Sequence, residues 1–103
     1  MARPDLQGIQ AFVETARHLS FTEAAQVLGM TKSAVGKSVS RLEARLGVTL
    51  IHRSTRRLVL TPDGQAYLSV ARHALEDIQA AETSLSSSNR IIAGRLRVDA
   101  PAA

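Results

Sequence analysis

Cysteine is absent from this 103-residue chain. Without thiols there can be no disulfides and no thiolate metal sites, and a reducing, cytoplasmic setting is the natural expectation. Aromatic residues make up only 3% of the chain against 45% hydrophobic residues in all, which points to a helical core of Leu, Val, Ile and Ala. No apolar run approaches membrane-spanning length, and Met1-Ala2-Arg3-Pro4-Asp5 has no stretch resembling a signal peptide. Catalytic groupings are missing too. His18, His52 and His73 fall on different expected elements without ligand spacing. Glu76 and Asp77 are adjacent, so they point to different helix faces, which is poor placement for paired acid–base work. The serines at 86–88 have no neighbouring base, and there is no glycine loop for phosphate. No metal, no cofactor and no enzymatic activity are expected.

What is present is positive charge in one place. The net charge is +4 and the isoelectric point about 10.7. Between residues 32 and 57, Lys32, Lys37, Arg41, Arg45, Arg53, Arg56 and Arg57 face a single anion, Glu43, so that segment carries +6 and the remainder −2. Solubilising charge would be spread evenly. A local basic block in a small domain suits a polyanionic partner.

The apolar pattern is helical over most of the length. Leu6, Ile9, Phe12, Val13, Ala16 and Leu19 recur at spacings of three and four, with Asp5 placed to cap the helix and Pro4 fixing its approach. Thr22 is expected to cap a short second helix through Ala24, Ala25 and Leu28, which Gly29 ends. Thr31 caps a third helix, whose Val35, Val39, Leu42 and Leu46 face inward before Gly47 closes it. Two helices of about 6 and 15 residues joined by a glycine turn of about three are the layout of a helix-turn-helix.

The pattern then changes. Residues 48–51 and 57–60 are rich in β-branched and aliphatic side chains, and a small hairpin with basic residues at its tip is expected there. Thr61-Pro62-Asp63 starts a last helix, with a cap, a proline at the first helical position and an acid in the first turn. Run to about Ser86, it would span roughly 38 Å. Its apolar line passes through Tyr67, Ala71, Ala74, Leu75, Ile78, Ala81 and Leu85. A domain this small cannot cover the whole line, and a second copy of the same helix is the simplest cover. Ser86-Ser87-Ser88-Asn89 reads as a linker. The expected organisation is therefore a domain over 1–60, a dimerisation helix over 61–88 and a hinge with further residues over 89–103.

On the third helix, the face opposite the core carries Lys32, Ser33, Gly36, Lys37 and Ser40, small or cationic and without bulky apolar side chains. An α-helix fits the major groove of B-form DNA, and residues near its N-terminus reach base edges. Gly36 costs about 1 kcal/mol relative to Ala inside a helix. Close approach of the backbone to DNA would explain it, and so would drift on an exposed face. Arg53, Arg56 and Arg57 on the wing could enter a narrow minor groove or clamp a phosphate. Two rivals stand beside DNA binding. A protein-interaction module using the same scaffold would bind DNA weakly or without salt dependence, and a small enzyme would need a constellation that is absent.

Several blocks, in this order and spacing, resemble the N-terminal region of LysR-type transcriptional regulators. They are Phe12-Val13-Glu14-Thr15-Ala16, Ser20-Phe21-Thr22-Glu23-Ala24-Ala25, Ser38-Val39-Ser40-Arg41-Leu42-Glu43-Ala44-Arg45-Leu46-Gly47-Val48, Ile51-His52-Arg53-Ser54-Thr55-Arg56-Arg57 and Leu60-Thr61-Pro62-Asp63-Gly64. The resemblance covers about residues 5–88. It implies a mainly α winged helix-turn-helix, three helices plus a small hairpin wing, followed by a long linker helix that dimerises antiparallel to its mate. It also implies an interrupted inverted-repeat DNA site. Intact members add an effector domain that binds a small-molecule inducer and usually form tetramers. Gly94-Arg95-Leu96-Arg97-Val98-Asp99-Ala100-Pro101 resembles the first strand of that domain, so residues from about 89 onward are expected to fray. The family's base-reading residues fall at Lys32, Ser33, Gly36 and Lys37 and its wing arginines at Arg53 and Arg56; Thr31, Ser40, Arg41 and Arg57 complete the expected surface. The family usually has Gln-Pro where Lys32-Ser33 stand and Ser-Arg where Gly36-Lys37 stand, so the base preference need not follow the common one.

Overall fold

The computed structural model describes residues 4–54 and 57–96, with side chains as far as 87. Helix α1 (Leu6–His18) begins where the Asp5 carboxylate accepts the Gly8 N–H at 3.0 Å. Phe12, Val13 and Ala16 are buried as the spacing requires, but Leu6 and Leu19 are 57% and 50% exposed, so the stripe is shorter than the periodicity suggests. Leu19 is not in the helix. It is the residue that ends α1, in the left-handed region at φ 50°, where no glycine is available to make the turn.

Helix α2 (Phe21–Leu28) is capped by Ser20, not by Thr22 as expected. The Ser20 hydroxyl accepts the Glu23 N–H at 3.1 Å. The serine followed three residues later by glutamate is the signal that marks this start, and it places Thr22 one residue inside the helix. After Gly29 and Met30, Thr31 accepts the Ala34 N–H at 3.0 Å and begins α3 (Lys32–Leu46). Val35, Val39 and Leu42 are fully buried, and Leu46 is half-buried. The three helices pack mutually, so their buried faces form one core with Leu50 and Ile51.

That core holds one polar group without a partner. The Thr15 hydroxyl is buried and has no hydrogen-bond partner among the described residues. An unsatisfied buried hydroxyl costs about 1–3 kcal/mol of desolvation. Thr15→Val keeps the shape and removes the hydroxyl, so the chain should gain about 1 kcal/mol of stability, read as a higher denaturant midpoint at unchanged slope. A lower midpoint would show that the hydroxyl is satisfied.

The hairpin consists of β1 (Ile51–Arg53) and β2 (Leu58–Leu60), antiparallel with Ile51 opposite Leu60, His52 opposite Val59 and Arg53 opposite Leu58. The first strand lies later than the expected 48–51. Residues 48–50 are held to the end of α3 instead. The Val48 N–H donates to the Glu43 carbonyl at 3.2 Å, and the Leu50 N–H to the Glu43 carboxylate at 2.8 Å.

Helix α4 (Pro62–Leu96) starts at Thr61, whose hydroxyl accepts the Gly64 N–H at 2.8 Å and donates to the Thr49 carbonyl at 2.7 Å. It continues through the serines and Asn89, which were expected to form a linker, and takes in residues 94–96, which were expected to begin a strand. From 65 to 93 there is no Gly or Pro, and Ser or Asn in a helix costs only about 0.5 kcal/mol relative to Ala. Nothing in that stretch breaks the helix. The remainder of the expected strand lies outside the described residues.

The chain forms two compact units, one ending at Arg72 and the other beginning at His73. The first extends past residue 60 because the opening turns of α4 pack within it. Thr61 and Gly64 are buried, Ala71 is 5% exposed, and the Tyr67 ring lies 5.8 Å from that of Phe12. Burial raises the Tyr67 hydroxyl's pKa above the usual tyrosine value; Arg45 opposes the shift and Asp5 adds to it. Among the described residues, no helix is long and apolar enough to cross a membrane.

Candidate nucleic-acid interface

The periodicity of α3 divides it cleanly. Val35, Ser38, Val39 and Leu42 are buried, whereas Lys32, Ser33, Lys37, Ser40 and Arg41 are exposed and Gly36 is half-buried between them. These residues therefore share the solvent-facing side of α3. Thr31 is also exposed, but its hydroxyl is committed to capping. Arg41 reaches back to the Ser38 hydroxyl at 3.5 Å, the outer limit of a hydrogen bond.

Gly36 has no internal reason to be glycine. A Cβ built there would meet no atom within 4 Å, and its φ is not positive. Its helix-propensity cost is thus not offset by any packing inside the chain.

The wing basic residues separate. Ser54 and Arg57 close the turn, the Arg57 N–H donating to the Ser54 hydroxyl at 3.1 Å and the Ser54 N–H to the Arg57 carbonyl at 3.1 Å. The Arg57 side chain is exposed beside Leu58 and Val59. Thr55 and Arg56 lie outside the described residues. Arg53 was expected to stand free at the tip. It is instead the last residue of β1 and reaches toward α3, forming an ion pair with Glu43 at 3.1 Å and donating to the Ser40 hydroxyl at 3.0 Å. Its guanidinium also sits 5.1 Å from the centre of the Phe21 ring. The sequence showed Glu43 only as the lone anion of a basic block. Its role as the partner of two backbone N–H groups and an arginine was missed.

The expected dimerisation residues also separate. Tyr67 and Ala71 lie in the first unit, Tyr67 half-buried beside Phe12 and Ala71 buried. Ala74 and Ala81 are exposed, Leu75 is half-buried, and Ile78 and Leu85 are 48% and 64% exposed. Val70, 68% exposed and four residues before Ala74, continues the same spacing and was overlooked. His18 lies between Glu14 and Glu23, at 3.6 and 3.3 Å. No cluster able to hold a metal occurs among the described residues.

Three short helices, a wing and an exposed cationic recognition face define a winged helix-turn-helix protein. Residues 6–65 match the family described as bacterial regulatory helix-turn-helix protein, lysR family. The chain belongs to the LysR family of transcriptional regulators, a non-enzymatic DNA-binding class. It is 40% identical over 97 residues to the HTH-type transcriptional regulator PtxR of Pseudomonas aeruginosa, covering 94% of this chain and 31% of that one. It is 43% identical over 91 residues to CrgA of Neisseria meningitidis, covering 88% of this chain and 30% of that one. The chain thus spans about a third of the length of these curated relatives. Among solved structures, the DNA-binding domain of BenM in complex with its catB site 1 DNA superimposes with a TM-score of 0.75 at 25% identity, over 82% of this chain and 93% of that one. OxyR of Corynebacterium glutamicum superimposes with a TM-score of 0.72 at 38% identity, over 82% of this chain and 26% of that one.

Proposed function

We propose that the chain binds double-stranded DNA sequence-specifically as a homodimer, at an interrupted inverted-repeat site, and so regulates transcription in the cytoplasm. Helix α3 enters the major groove and the turn of the wing meets the minor groove or its phosphates. The observation that carries this reading is the exposed face of Lys32, Ser33, Lys37, Ser40 and Arg41, with no bulky apolar side chain and an opposite face locked in the core. The BenM domain was solved with its DNA sites, and full-length CbnR with its target DNA, on the same fold. The dimer rests on the exposed apolar residues of α4. Tetramers and a small-molecule inducer belong to the longer proteins of the family, and we extend both to the full-length form of this one.

The test is selection of bound duplexes from a randomised pool, followed by titration of the winner at several salt concentrations. Affinity should fall steeply with salt, as counterions are released from the backbone. Lys32→Ala should change which duplexes are selected, because the residue faces bases. Arg56→Ala should weaken binding by about 1–3 kcal/mol on the preferred site, the scale of a specific contact. Salt-independent binding, or no selection at all, would return the surface to a protein partner.

A further inference from the structure

Of the two wing cations among the described residues, Arg53 is the one whose guanidinium is already engaged by neighbouring side chains. One terminal nitrogen donates to Glu43 at 3.1 Å and the other to Ser40 at 3.0 Å. The guanidinium carbon lies over the ring of Phe21, the first residue of α2. Glu43 in turn has its second oxygen filled by the N–H groups of Leu50 and Ile51, at 2.8 and 3.1 Å. Its side chain is only 16% exposed, and that of Arg53 35%. One carboxylate and one guanidinium therefore tie the recognition helix, the start of α2 and the first wing strand together.

An isolated surface ion pair contributes little. This one differs in that both groups have their geometry fixed by further donors and acceptors. A contact at the wing and a contact at the recognition helix reinforce each other on one duplex only if the spacing between them is set before binding. A wing that swings must be ordered on association, at a cost to affinity.

We infer that Arg53 is a positioning residue and not a DNA contact. With Glu43, it holds the wing at a fixed offset from the face of α3, so that a correct site is told from an incorrect one. The inference rests on the DNA-binding reading above. It assigns the charge of Arg53 to Glu43 and leaves Lys32, Lys37, Arg41, Arg57 and Arg56 to meet the duplex.

Two conservative variants separate geometry from charge. Arg53→Lys keeps the cation but lacks the planar fork whose two terminal nitrogens separately meet Ser40 and Glu43. Glu43→Gln removes a negative charge from the vicinity of the DNA face. Affinities are measured for the 103-residue chain on the duplex selected by the wild type and on a scrambled duplex of equal length. If Arg53 only supplied charge, Arg53→Lys would bind both duplexes as the wild type does, and Glu43→Gln would bind both more tightly. Positioning predicts that both variants lose discrimination between the duplexes by roughly tenfold, the scale of coupling within one hydrogen-bonded network. Binding to the scrambled duplex should not weaken in either.

Thermal melting checks that each variant is folded. Should one fail, Phe21→Leu, which removes the ring beneath the guanidinium and leaves the ion pair, should lose discrimination in the same direction by a smaller factor. Retained discrimination in Arg53→Lys, or uniform tightening in Glu43→Gln, overturns the inference. A wild type that prefers neither duplex would instead overturn DNA reading itself.

Discussion

Ile78→Glu should sediment as a monomer at micromolar concentrations, where the proposed pairing expects a dimer of the wild type. On the proposed pairing of α4 helices, residue 78 sits in an apolar seam with Ala74, Ala81 and Leu85, and a glutamate there would be buried without a partner. Breaking such a seam with an uncompensated charge costs several kcal/mol, on the order of 3–5 for an unpaired buried ion. In the single chain, however, Ile78 is 48% exposed and outside the first compact unit. The substitution should therefore leave the melting of that unit within about 0.5 kcal/mol of the wild type, as exposed substitutions do. This separation makes the experiment decisive: an intact fold with halved mass supports the seam, and an unchanged dimer places the interface elsewhere.

Gly64→Ala is expected to damage the fold itself. A Cβ at this position would fall on the Leu50 carbonyl oxygen, with the Leu50 carbonyl carbon at 3.0 Å and its Cα at 3.3 Å. These are backbone atoms, so no side chain can rotate away. The same carbonyl accepts the Thr61 N–H at 3.0 Å, which joins the start of α4 to the chain entering the wing. Forcing the two apart should cost about 3 kcal/mol, the upper part of the usual range for overpacking. That corresponds to roughly 12–24 °C in melting temperature for a domain of this size. Gly36→Ala is the control, because nothing lies near its Cβ and the helix should gain about 1 kcal/mol. A Gly64→Ala chain that melts with the wild type would mean that α4 can leave Leu50 without loss.

Much of the fold was legible because local signals and burial agree. Asp5, Thr31 and Thr61 cap the helices they were expected to cap, and Val35, Val39 and Leu42 are buried as their spacing requires. The errors arise where a local pattern has two readings. Thr22 and Ser20 are both good caps, and only the pairing of Ser20 with Glu23 decides between them. The strand expected at 48–51 begins later, because a side chain seven residues upstream takes the Leu50 N–H, which no periodicity reveals. The apolar line of α4 is uniform in sequence, yet it divides where Tyr67 and Ala71 meet the core and Ile78 and Leu85 do not. The exposed face of α3 was legible for the same reason the core was, since one face fixes the other. The wing was not. A cluster of arginines does not say which of them is already held, and the answer for Arg53 depended on Glu43 and Ser40, ten and thirteen residues away.

The open space around Gly36 has a consequence for how such a protein could change its targets. Lys32, Ser33 and Lys37 are exposed, and a Cβ added at the half-buried residue 36 would meet no neighbouring element within 4 Å. On the proposed docking of α3, replacements there would alter what meets the double helix while shifting stability by no more than about 1 kcal/mol. Recognition can therefore diverge among descendants of this chain with the scaffold left untouched. On that reading the four positions would serve as an exchangeable cassette on a separately held frame.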